Sequence, residues 1–249
     1  MRRELPASAG LLTMGWLSIA LWLDRAGGPG GPWQQRGLGL VTWLVLLALL
    51  SRVSPSVRAQ TAVVVAFATL VEYVASPTLE VYSYRFHNVP AYVPPGHGLV
   101  YLSAIALGHA AVVERHRRGV LALVLVAGSA WAGYGVVAAA RPDTLGAFWF
   151  GCLALFVLLG PSQPVYVGAF VAVGWLELAG TRLGTWEWAP RDPTGWVSMG
   201  NPPSGAAGGY GWFDLAGLLL APYLLAAWGR LSPRASARTR RVRRAGDAR

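Results

Sequence analysis

The chain has 249 residues, 54% of them hydrophobic and only 13% charged, with a formal net charge of +10. Soluble domains carry roughly 25% charged residues, which excludes a water-soluble globular fold. The net charge suggests nucleic acid until it is located: all 21 basic residues are Arg, and eight of them lie between Arg230 and Arg249. No folded basic surface or base-stacking platform accompanies that tail, so nucleic acid is not an expected partner. Apolar runs recur throughout, with nothing between them large enough for a separate soluble core. One transmembrane domain is therefore read over 1–229, followed by a disordered Arg-rich tail over 230–249. The single Cys152 sits in an apolar run and excludes an internal disulfide or a cysteine metal cluster.

A membrane helix needs about 20 mostly apolar residues. The first candidate runs from Ala7 to Leu23 behind Arg2 and Arg3. No small-residue cleavage site follows Leu23, so it reads as an uncleaved helix rather than a signal peptide. The second spans 37–50 and the third 60–75, which contains Glu72. A long connection over 76–96 carries Glu80, Tyr82, Tyr84, Arg85, His87 and Asn88. Pro94 and Pro95 suit the approach to a helix start, so the fourth helix is expected from His97 to Val113. The remaining four are expected over 120–140, 145–160, 165–179 and 210–229. The prediction is an all-α, polytopic transmembrane bundle of about eight helices; the count becomes seven if the first or second segment spans only in part. No internal repeat of fixed period is detectable.

Eight spans place both termini on one side, and arginine placement makes that side cytoplasmic in a plasma membrane. Fifteen arginines then fall inside and six outside, or seven and six once the tail is removed. The tail and the Arg115–Arg118 cluster decide the orientation, and the tail is expected to anchor to anionic lipid headgroups. Both long connections, 76–96 and 180–209, lie outside. Trp33, Trp186, Trp188, Trp196 and Trp212 fall there as an interfacial aromatic belt would.

With this topology Glu72, His97, Glu177 and Asp214 come from four helices and share the outer third of the bilayer. Each buried charge costs on the order of 3 kcal/mol at mid-bilayer, so scattered depths would be expected by chance. These four are the candidate catalytic groups, provided their helices are neighbours. Tyr82, Tyr84, Arg85, Asn88, Trp186, Trp188 and Asn201 are the candidate substrate-binding residues above them. Each acid also has a plain structural role open to it. Glu72 and Glu177 reach headgroups or pair with Arg85 and Arg182, and Asp214 bonds across a helix interface. His97 caps a first turn, His109 packs deep in the fourth helix, and His116 is solvated.

Three chemistries fit such a cluster. A carboxyl group in apolar surroundings keeps its proton near neutrality and serves as a general acid. Glu177 or Asp214, walled by Trp175, Trp186, Trp188, Trp212, Tyr82 and Tyr84, is placed for that role. Aromatic faces stabilise cations, so protonation of a lipid double bond followed by ring closure or hydration is open to it. His97, His87, Glu72 and Asp214 are competent metal ligands, but no paired His at i, i+4 is present, and neither metal nor cofactor is predicted. Intramembrane carboxylates also relay protons or ions in transporters, although here only His109 lies on the way to the other side. A non-catalytic partner for membrane assembly is the remaining alternative.

The run Glu177-x-x-Gly180-Thr181-x-x-Gly184-x-Trp186-x-Trp188 resembles a signature of membrane hydratases of carotenoid biosynthesis, related in style to the small membrane lycopene cyclases. The resemblance implies an isoprenoid or other long apolar substrate, with Glu177 as the motif acid and Gly180, Thr181 and Gly184 as its turn. The Pro-x-Glu-Glu element of the lycopene cyclases is absent. The runs 88–98 and 201–210 resemble those of uncharacterised polytopic membrane proteins of actinobacterial type, and that resemblance implies no activity.

Overall fold

A computed structural model describes residues 5–231. Every apolar segment expected from the sequence is helical: α1 (Ala7–Leu23), α2 (Pro32–Leu50), α3 (Pro55–Ala75), α4 (Val93–Gly108), α6 (Arg117–Val137), α7 (Thr144–Leu159), α8 (Gln163–Arg182) and α9 (Ala206–Leu231), with a short α5 (Ala111–Arg115) between α4 and α6. Five of these, α2, α3, α6, α8 and α9, are long and apolar enough to cross a membrane. The fold is a nearly all-α helical bundle. The Arg-rich tail beyond Leu231, and with it the expected disorder and headgroup anchoring, lies outside the described residues.

Several boundaries differ from the sequence reading, for local reasons. Pro94 and Pro95 sit inside the first turn of α4 rather than before it, where their missing amide donors leave no hydrogen bond unmade. His97 is therefore one turn into the helix and does not cap it. The expected fourth helix does not run on to Val113: His109 ends it, and Ala110 is extended (φ −62°, ψ 139°) before α5 begins. His109 is half-exposed beside Glu114 at 3.4 Å, not packed deep in a helix. Helix α9 starts at Ala206, about a turn earlier than expected, which puts Asp214 two turns inside it.

Helix α4 is the centre of the bundle. Most of its residues are buried, and α8, α1, α3 and α2 pack around it. The neighbouring α7–α9 crossing is made by small residues. A side chain at Gly205 would strike the Gly146 carbonyl and the Phe150 backbone, and one at Gly208 would strike the Trp149 carbonyl. Only glycine lets the two backbones come this close.

The two ends of the bundle are unlike. At one end the connections are short. At the other, the links α1–α2, α3–α4, α6–α7 and α8–α9 knit into a roof. Two three-residue strands, β1 (Tyr82–Tyr84) and β2 (Trp186–Trp188), pair antiparallel with Tyr82 opposite Trp188 and Tyr84 opposite Trp186. Strand alternation sends all four aromatic side chains to one buried face, leaving Ser83 and Glu187 on the other. Backbone hydrogen bonds from Ala26 to Leu183 and from Arg85 to Thr185 tie the first half to the second. Arg141 donates to the carbonyls of Trp188, Ala189 and Met199. The expected interfacial belt is thus divided: Trp33, Trp196 and Trp212 are exposed, whereas Trp186 and Trp188 belong to the buried roof.

An order of devices recurs that a fixed period cannot reveal. Each half has a buried Asp after a helix (Asp24, Asp143), then a Glu near a helix C-terminus (Glu72, Glu177). An aromatic-x-aromatic strand follows, then a Pro-Pro pair before or within the start of the next helix. Exchanging α3 with α8 and α4 with α9 turns the packed pair α4–α8 into α3–α9 and α3–α4 into α8–α9, which also pack.

Candidate functional site

Glu72 projects from the last turn of α3 and is 6% exposed. Its Oε2 accepts the hydroxyls of Tyr82 and Tyr84, each at 2.9 Å, and its Oε1 lies 3.0 Å from His97 Nε2. Burial first, and the Glu72 charge second, push both phenols far above the ordinary tyrosine range, so they stay protonated donors. The carboxyl group of Glu72 thus gathers two phenol hydroxyls from the roof and an imidazole from α4. His97 is also buried, and its Nδ1 has no partner. The ring packs on Tyr210 and Phe213 of α9, with centroids 5.4 and 5.9 Å away.

Glu177, near the end of α8, is held differently. Its Oε2 accepts the indole N–H groups of Trp186 and Trp188 at 3.1 and 3.0 Å, and Oε1 receives no hydrogen bond from the described residues. The whole glycine-tryptophan run is accounted for by this geometry. A side chain at Gly180 would overlap the Trp186 ring, and the Thr181 hydroxyl bonds back to the Glu177 carbonyl at 2.7 Å. Gly184 takes φ +64°, the left-handed turn that swings the chain from helix to strand. The expected partner Arg182 is not involved.

Asp214 is buried but stands apart from both carboxylates. Among the described residues its side chain accepts no hydrogen bond, and it lies a turn below Tyr210, which is within electrostatic reach of Glu177, Glu72 and Asp214 alike. Tyr101 of α4 and Tyr166 of α8 are the phenols within electrostatic reach of this carboxyl group. Tyr101 donates to Gln60 at 3.1 Å, and the Tyr166 hydroxyl is buried without a partner. Polar groups therefore continue below the cluster through Asp214, Tyr101 and Gln60. The sequence reading left only His109 on that path, because depth along separate helices does not show that Tyr101 and Gln60 face each other.

Arg85 and Asn88, expected over the site, belong to a second polar group in the roof. Asp24 is fully buried there. It accepts from Tyr92 (2.7 Å) and Gln35 (2.8 Å), with Arg85 3.8 Å away, while Asn88 donates to Gln35. Burial lifts the Asp24 carboxyl above its usual range against the pull of those two hydrogen bonds and of Arg85. Asp24 is not among the residues singled out from the sequence, because it lies just past the end of an apolar run rather than inside one. Asn201 accepts the Trp188 backbone N–H at 3.1 Å and so fastens the strand. Trp175 and Trp212 are about half exposed and do not wall Glu177. Glu80, His87 and Glu187 line a separate outer cleft. Among the described residues, no three His, Cys, Asp or Glu side chains are placed to hold a metal ion.

Two cavities border the cluster. A small one of about 50 Å³ is lined by His97, Tyr84, Tyr92, Trp186 and Tyr210, room for a few waters. The larger, about 430 Å³, is a slot under the roof. Its floor is α9 at Gly209, Tyr210 and Phe213; one wall is α3 at Val71, Glu72 and Ala75, the other α7 at Leu145 and Trp149. Tyr82, Trp188 and the segment 192–199 roof it. Comparison with known protein families, with known proteins and with solved structures found no match for this chain.

Proposed function

We propose that the chain is a multi-pass protein of the plasma membrane, with both termini cytoplasmic and the roof outside, that modifies a lipid or isoprenoid-like substrate by acid–base catalysis. The observation that carries this reading is Glu72, which lines the large apolar slot and lies 3.0 Å from His97, whose ring packs on the slot residues Tyr210 and Phe213 and lines the small adjoining cavity. Glu72 fixes the imidazole through Nε2, which leaves Nδ1 to give or take a proton, the arrangement expected of a general acid–base histidine. In a hydration, the imidazolium Nδ1 proton passes to one carbon of a double bond, leaving a cation at the other. Neighbouring aromatic faces hold that cation. Water adds to it, and the proton lost from the water returns to Nδ1. Glu177 and Asp214, each with a carboxyl oxygen free of protein donors, are the further acid candidates. The motif resemblance at Glu177–Trp188 agrees with a long apolar substrate.

Comparing the lipids of cells that contain and lack the protein tests the reading. A product should disappear in His97→Gln and Glu177→Gln variants that still fold. Unchanged product in both variants removes the proposal. A proton-coupled transporter is the second reading, favoured by the polar groups that run on through Asp214, Tyr101 and Gln60. Flux into proteoliposomes that Asp214→Asn abolishes would support it over catalysis.

A further inference from the structure

The slot between α3 and α7 has a feature that the acid–base reading does not use. Helices α3 and α7 each pack extensively on α9 but not on each other, so the slot lies between two walls that share α9 as a floor. Its wall residues Val71, Ala75, Leu145 and Trp149 are half-buried, and its volume falls within the roughly 300–1,000 Å³ of small-molecule sites. The charged lining consists of two acids, Glu72 at the inner end and Asp192 in the roofing segment, and no basic residue. The three nearby arginines are engaged elsewhere. Arg141 is bonded to roof carbonyls, Arg85 donates to the Gly28 carbonyl near Asp24, and Arg191 donates to the Gly195 carbonyl.

We propose that this slot binds an uncharged long-chain lipid, with its hydrocarbon along Gly209 and Phe213 and a hydroxyl, carbonyl or double bond toward Tyr210 and Glu72, and that it rejects phosphate-headed lipids. The charge pattern requires this selectivity. A phosphate or diphosphate would be desolvated beside a carboxylate with no cation to meet it, and like charges brought together in a dry site cost heavily. An uncharged chain meets apolar walls, a glycine floor and one hydroxyl, Tyr210, that makes no hydrogen bond among the described residues. The inference rests on the lipid-enzyme reading for the fate of the ligand, and on the slot alone for its binding.

The test uses the full-length protein in zwitterionic nanodiscs with a long-chain alcohol carrying a diazirine, set against the phosphate monoester of the same alcohol. Photolabelling should fall on α3, α7 and α9 at the slot, with the alcohol ahead by about tenfold or more. Ala75→Trp and, from the opposite wall, Leu145→Trp should each block the label. Val74→Trp, on the exposed side of α3, should leave it. Equal labelling by the phosphate ester, or labelling that neither slot variant reduces, overturns the proposal. Slot labelling without product in cells keeps the binding site and removes the catalytic reading. Product that both slot variants leave untouched removes the site and keeps the catalysis.

Discussion

In the first half of the chain, a carboxylate near the end of α3 takes two phenol hydroxyls and an imidazole. In the second, a carboxylate near the end of α8 takes two indole N–H groups. The scaffolds are alike and the donors are not. Indole only donates, whereas a hydroxyl and an imidazole both give and accept. Glu177 Oε2 is therefore a fixed anchor for β2, while Glu72 sits in a network through which a proton can move. The two buried aspartates differ in the same sense. Asp143 takes three backbone N–H groups, from Gly146, Gly200 and Ser204, and Asp24 takes side chains. The two halves share an order of devices, yet one pair of acids is held by groups that only donate and the other by groups that also accept.

The largest expected effect tests the rigid half. Asp143→Ala should cost about 3 kcal/mol or more, because three buried N–H groups lose their acceptor at once. Thermal unfolding in detergent reads this, and a loss no greater than that of Asp24→Ala would erase the distinction. Next, Trp186→Phe should cost roughly 1.5–3 kcal/mol, the worth of a hydrogen bond to a charged group. Because Glu177 keeps its bond from Trp188, the substitution should move the pH profile of any turnover less than Tyr84→Phe does.

Gly180→Ala follows, at about 1–3 kcal/mol from overpacking against the Trp186 ring. Ala75, three residues after Glu72 as Gly180 is after Glu177, already carries a methyl group, because a tyrosine rather than a tryptophan lies over that half. The smallest effect is a pH dependence at Asp24. Its folded carboxyl holds the proton more tightly than the unfolded one, whose value is near 3.8. Its contribution to stability is thus greatest in acid and declines as pH rises from 3.8 through the folded value. Subtracting an Asp24→Asn unfolding series from that of the wild type should leave this decline. A difference that grows with pH would show that Arg85, not burial, governs the group.

Much of the bundle was legible because apolar runs broken by Gly, Pro and Arg are what a helical membrane chain must show. The acids Glu72, Glu177 and Asp214 stood out for the same reason, as costly groups inside such runs. What each acid touches was not legible. Trp186 and Trp188 have the composition of an interfacial belt, and only the β1–β2 pairing turns them inward onto Glu177. Asp24 sits just past a helix end, and nothing local shows that Tyr92 and Gln35 come to it from elsewhere in the chain. Pro94 and Pro95 are as compatible with a first turn as with its approach, so the start of α4 could not be fixed from sequence.

The central helix α4 has 16 residues, and at 1.5 Å of rise each it is about 24 Å long. Bilayer hydrocarbon is about 30 Å thick. The rod at the middle of this assembly is therefore shorter than such a layer, unlike α3, α6, α8 and α9. At the end where His97 lies, Tyr84, Tyr92 and Trp186 of the roof close over the helix and leave only the small cavity beside the imidazole. Protein, not lipid, therefore fills the missing length there, and the imidazole meets its surroundings through a chamber only a few waters wide.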